Sequence, residues 1–90
     1  MTTRLVTFRK IRHPTPGEVI RFHRKRRGLS QADLAYHLGT SPSFLSMLET
    51  GSRIPSEFMA HNIETALGIT RSHALRRSLS THPAWIKKTP

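Results

Sequence analysis

The sequence has no cysteine. Its absence excludes disulfides, thiolate nucleophiles and cysteine-held zinc, and suits a reducing compartment. Acid is scarce: five Asp and Glu stand against fifteen Lys and Arg, for a formal net charge of +10. Those carboxylates and the serines show no triad spacing, and no glycine-rich phosphate loop is present, so an enzyme is not expected. Six histidines occur, His13, His23, His37, His61, His73 and His82. None pairs with another at i, i+3 or i, i+4, so neither a metal nor a cofactor is expected. No stretch approaches the roughly 20 apolar residues of a membrane-spanning helix. The opening MTTRLVTFRKIRHPTP lacks the apolar run of a signal peptide. The expected setting is soluble and cytoplasmic.

What remains is positive charge, unevenly spread. Arg4, Arg9, Lys10 and Arg12 form one group. Arg21, Arg24, Lys25, Arg26 and Arg27 form a second. Arg71, Arg76, Arg77, Lys87 and Lys88 form a third, and Arg53 stands alone. Such a balance solubilises a small domain, and it also suits a polyanion. Yet GLSQADLAYHLGTSPSFLSMLETGS, residues 28–52, has no Lys or Arg at all. This is also the most patterned stretch of the chain.

The pattern is helical throughout. Thr15-Pro16-Gly17-Glu18 starts a first helix, with Thr15 as cap, Pro16 in the first position and Glu18 completing a capping box. It runs to about Arg27, with Val19 and Ile20 inward and Gly28 near its end. Ser30 and Asp33 start a second helix, whose buried face is Leu34, Ala35 and Leu38 and whose stop is Gly39. Thr40 or Ser41 caps a third, with Pro42 in its first turn, Phe44, Leu45 and Leu48 apolar, and Gly51 at its close. Pro55-Ser56-Glu57 opens a fourth, with Met59, Ile63, Ala66 and Leu67 inward and Gly68 as its stop. A short fifth begins in the stretch from Thr70 to Leu75, with Leu75 and Leu79 one turn apart. Residues 1–14 read as an arm. Its RLVTFRKI alternates only roughly, compatible with a short strand. The end, THPAWIKKTP, is irregular.

From Gln31 the positions Ala35, Gly39, Leu45 and Leu48 fall in register: a small residue for close approach, a glycine for the tight turn, and two leucines anchoring the next helix. That is a helix-turn-helix. RKRRGLSQADLAYHLGTSPSFLSMLETGSRIPS, followed by ALGI, resembles the Cro and phage-repressor (XRE-type) helix-turn-helix family over about residues 17–69. The resemblance implies an all-α fold, a compact lambda-repressor-like bundle of about five helices. The organisation is then an arm (1–14), a DNA-binding domain (15–69), and a short helix with a basic tail (70–90). It also implies binding to double-stranded DNA as a homodimer on a palindromic operator, with the third helix in the major groove, most simply as a repressor.

Site residues follow by matching positions. Ser41, Pro42, Ser43 and Met47 match base-reading positions, with Ser46 beside them. Gln31 matches a phosphate contact. Thr50, Gly51, Ser52 and Arg53 match a loop whose backbone amides grip phosphate. Arg24 and Glu49 match a structural ion pair. Arg26 and Arg27 in the basic flank are expected on phosphate. The third helix departs from the family in offering no Gln, Asn, Arg or Lys for a bidentate base contact. Specificity is then expected to draw on DNA shape, on Arg53, or on the arm in a minor groove. Phe22 lies off the inward stripe and is a seat for the arm or the tail. The basic tail with Trp85 has too little apolar surface for a membrane and is expected on DNA backbone or at a dimer contact. An alternative is an antitoxin, which HPTPGEVI and the short helix after ALGI resemble. It would bind a small toxin and autoregulate its operon, although an acidic toxin-binding tail is missing. A protein-interaction module on the same fold leaves the charge unexplained.

Overall fold

A computed structural model of the chain describes residues 14–82. The arm upstream of Pro14, with RLVTFRKI, and the tail with Trp85, Lys87 and Lys88 lie outside the described residues. Five helices follow one another, and no strand is present among the described residues: α1 (Pro16–Arg26), α2 (Gln31–Leu38), α3 (Pro42–Thr50), α4 (Glu57–Leu67) and α5 (Ala74–Ser80).

The helix starts are made by side chains. Thr15 Oγ1 accepts from the Glu18 amide while Glu18 accepts from the Thr15 amide, and Ser30 and Asp33 repeat the arrangement at α2. Each box satisfies two amides that the first helical turn would otherwise leave orphaned. Ser41, not Thr40, caps α3. The stop that positions the site is Gly39, at φ +70°. A side chain there would be strained, and the sharp reversal it allows sends α3 across α2.

One core forms. Ile20, Leu34, Leu45, Leu48, Ala60, Ile63, Leu67, Leu75 and Leu79 are all but inaccessible. Helix α3 packs on α1 and α2, and α5 packs on α1 and α4, so the core extends through Leu79. The inward face of α4 is turned from its expected one. Ala60 and Glu64 are buried with Ile63 and Leu67, whereas Met59 and Ala66 are half-buried. A carboxylate can occupy a core-facing position here because Arg76 Nε of α5 lies 3.2 Å from Glu64 Oε1. Helix α5 begins at Ala74, after a turn in which His73 takes a left-handed conformation, φ 56°.

Gly17 has a role beyond its place in the first turn of α1. A Cβ there would fall onto the carbonyl oxygen of Glu49 and within 2.6 Å of that of Leu48. Only glycine lets the start of α1 lie directly against the end of α3.

Candidate nucleic-acid interface

Around α3, at about 100° per residue, the buried Leu45 and Leu48 and half-buried Phe44 define one side. Pro42, Ser43, Ser46, Met47 and Thr50 occupy the other. Pro42, Ser43 and Thr50 are exposed, and Ser46 and Met47 half-buried. The residues expected to read bases therefore share one continuous outward ridge of short or flexible neutral side chains. Ser41 precedes it. Its Oγ accepts from the Phe44 amide at 3.1 Å, so its hydroxyl is a donor to anything outside.

The ridge is held from behind by a buried polar cluster. Arg24 of α1 reaches Glu49 of α3 with two bonds, Nε to Oε2 and Nη2 to Oε1, the latter 3.0 Å. Its remaining nitrogen, Nη1, donates to the Leu29 carbonyl at 2.8 Å. Gln31, the first residue of α2, adds Nε2 to Glu49 Oε1 at 3.0 Å. The side chains of Arg24 and Glu49 are only 9% and 2% exposed. This fork joins α1, the α1–α2 turn, α2 and α3 in one cluster. Burial by itself would raise the Glu49 carboxyl. The bonds from Arg24 and Gln31, with the charges of Arg24 and Arg21, outweigh it and hold the carboxyl below its ordinary value. Arg24 is correspondingly raised, chiefly by its bond to Glu49.

The loop after α3 is tightly wound. The Met47 carbonyl accepts from the amides of Gly51 and Arg53, both at 3.1 Å, and from Thr50 Oγ1. Two amides of the expected phosphate grip are thus already engaged inside the loop. Exposed in this loop are Thr50 and Ser52, whose hydroxyls pair with one another, and Arg53.

A family model described as Helix-turn-helix matches residues 20–73. The chain belongs to the helix-turn-helix family. It is also similar to an uncharacterized HTH-type transcriptional regulator of Methanothermobacter thermautotrophicus. The two are 44% identical over 50 residues, which cover 56% of this chain and 72% of that protein. No solved structure matches the chain significantly.

The basic flank of this helix-turn-helix protein divides among several faces. Gly17 and Arg24 of α1 face α3. Arg21 projects about 40° from Gly17 and about 60° from Arg24 around the helix, and acts on Glu49 by its charge. Arg26 projects to the opposite side of α1, with its guanidinium 5.5 Å from the centre of the Phe22 ring. Arg27 turns towards α4, where its guanidinium lies by Gly68. That is the C-terminal end of α4, about 16 Å along the helix from the end that meets the α3–α4 loop. Arg26 and Arg27 thus point away from α3, and Arg21 lies on the side of α1 that meets it. The helical period of α1 could have separated them from sequence. Gln31 was expected on a phosphate, and its bond to Glu49 escaped sequence reasoning because it spans 18 positions.

All five acidic side chains have internal work. Glu18 and Asp33 close capping boxes, Glu49 holds Arg24, and Glu57 and Glu64 meet Arg76. Arg76, which the sequence groups with a basic tail expected on DNA backbone or at a dimer contact, is a bridge within the bundle. Among the described residues Arg21, Lys25, Arg26, Arg27, Arg53, Arg71 and Arg77 form no ion pair. No helix is long and apolar enough to cross a membrane, and no group of three or more metal-binding side chains occurs, among the described residues.

Proposed function

We propose that the chain is a sequence-specific, double-stranded-DNA-binding transcriptional regulator. In this reading it is a cytoplasmic repressor acting as a homodimer on a palindromic operator, with α3 in the major groove. The observation that carries the reading is the neutral ridge Ser43–Ser46–Met47–Thr50, braced from behind by the buried Arg24–Glu49–Gln31 fork. Affinity and choice then come from different atoms. Arg53, Arg21, Thr50 and Ser52 meet phosphates and fix register, with Gln31 beside them through the part of its amide that Glu49 does not use. Ser41, Ser43 and Ser46 exchange hydrogen bonds with base edges, and Met47 packs on a thymine methyl, with Pro42 at the helix entry. With no bidentate side chain on the ridge, discrimination per base pair is modest, and DNA shape supplies part of the choice.

Selection of bound duplexes from a random pool, followed by titration of the winners across salt, tests this. The expected product is a two-fold symmetric site with half-sites about one helical turn, 34–36 Å, apart. Its affinity should fall steeply with salt, by about 0.9 in log K per log salt for each phosphate neutralised. Recovery of unselected sequence, or no retention at moderate salt, would refute the reading. An asymmetric winner would refute the homodimer alone.

A further inference from the structure

The face of α1 that turns away from α3 is hollow. Glu18, Val19, Phe22 and His23 project from α1 about half a turn from Gly17 and Arg24. With Pro14 and Ala74 they line an apolar hollow of about 400 Å³. A second hollow of about 360 Å³ continues it, sharing Pro14, Val19 and Ala74 and running on past Arg77 and Thr81 of the α5 region. Phe22 is 55% exposed at the edge. An exposed phenylalanine beside a continuous groove between two helices is not needed by the core, and the reading ridge does not use it.

The geometry points to this α1–α5 groove as a docking site for an acidic, apolar-anchored segment of a partner protein. Two adjoining hollows suit two large side chains one turn apart on a helix, the usual way an amphipathic helix enters a groove. Charge decides the occupant. Arg26 lies over Phe22 at one edge and Arg77 lines the other, both without ion pairs among the described residues. Among the described lining residues the one carboxylate, Glu18, is already engaged, bound into the Thr15 capping box. A second copy would bring a +10 chain and the same arginines to this edge. The chain's own ends, with Arg4, Arg9, Lys10 and Arg12 on one side and Lys87 and Lys88 on the other, carry the same sign. Acidic side chains on the incoming segment meet these cations instead. Because the groove opens away from α3, such a partner can be held while the ridge is on DNA.

The test uses the full chain, isotope-labelled, and a fluorescent synthetic peptide of about 18 residues. The peptide carries Leu and Phe at i, i+3 and i+4 and Glu elsewhere, and a twin carries Lys in place of Glu. The expected result is that the Glu peptide binds at least about tenfold more tightly than its twin. Amide shifts should concentrate on residues 14–23 and 74–81. Phe22→Ala should weaken binding by about tenfold and Arg77→Glu by several-fold, with duplex retention unchanged for Phe22→Ala. Four results would overturn the proposal. One is equal binding of the twin, and another is shifts centred on α3, which would make the peptide a DNA mimic. A third is concentration-dependent shifts at Val19 and Ala74 without peptide, which assign the groove to a second copy. The last is shifts at those amides on removing residues 1–13 or 83–90, which assign it to the chain's own ends.

Discussion

At Gly17 a single missing methyl sets how closely α1 approaches α3. Gly17→Ala places Cβ against two backbone carbonyls that cannot rotate away, so the helices must separate. The expected cost is about 1–3 kcal/mol, which in a domain of this size lowers Tm by several to some 20 °C. Gly28→Ala is the control: it meets nothing within 4 Å but sits at φ +69°, and should cost less, about 1 kcal/mol. Thermal unfolding of the two variants side by side checks the order. Titratable residues give a second expectation. His23 is lowered by burial first and then by the charges of Arg26 and Arg27. Below its ordinary pKa of 6.5 the unfolded chain binds the proton first, so stability is lost as pH falls from 6.5 towards the folded value. Glu49, also held low, adds the same sign below its ordinary 4.5. The Tm should be level above about pH 7 and decline on acidification in two stages, on this linkage. His23→Gln should remove the upper stage. Glu49→Gln should shrink the lower one to the share that Asp33, held low by its bond from the Ser30 amide, still supplies, while costing about 3 kcal/mol at neutral pH, because it strands the Arg24 charge.

At the scale of elements, α3 separates what the sequence makes legible from what it does not. Its cap, its glycine stop, and the leucines that face inward are local features with a helical period, and Ser41, Gly51, Leu45 and Leu48 lie where that period puts them. The same holds for the boxes at α1 and α2. The inward turn of α4 was not legible, because Glu64 is tolerated only through Arg76, twelve residues on in another helix. Nor was the spacing of α1 and α3, since a glycine in a first turn looks like a propensity effect until the facing carbonyls are known. The outward ridge yields a prediction of its own. Ser43→Ala and Met47→Ala remove side chains that support nothing in the core, so stability should stay within about 0.5 kcal/mol of the parent. Base preference at one or two operator positions should relax by about 1 kcal/mol each. Gln31→Ala should behave otherwise: it frees one bond to Glu49 and so should lower both Tm and affinity for every duplex alike. Parallel selections with the three variants separate these patterns, and a change of base preference confined to Gln31→Ala would reverse the placement of the reading face.

Over the whole molecule, the five carboxylates are spent on caps and on the Arg24 and Arg76 bridges, so nearly all of the remaining field is positive and spread over several faces. That arrangement splits electrostatics into two measurable parts. Cations close to the ridge displace counterions from specific phosphates and set the slope of log K against log salt. Cations elsewhere only raise the rate of encounter, through a potential that salt screens within about 10 Å at 0.1 M. With α3 in the groove as proposed, Arg53, in the loop after α3, and Arg21, on the α3 side of α1, are of the first kind. Arg26, stacked on Phe22 on the opposite side of α1, belongs to the second. Arg53→Gln and Arg21→Gln should each reduce the magnitude of the slope by about 0.9. Arg26→Gln should leave the slope unchanged and slow association at low salt only. Fluorescence anisotropy for the slopes and stopped-flow mixing for the rates decide it. Equal slope changes for Arg21 and Arg26 would mean that duplex lies across α1 as a whole rather than along α3, and the proposed orientation of the bundle on DNA would have to be abandoned.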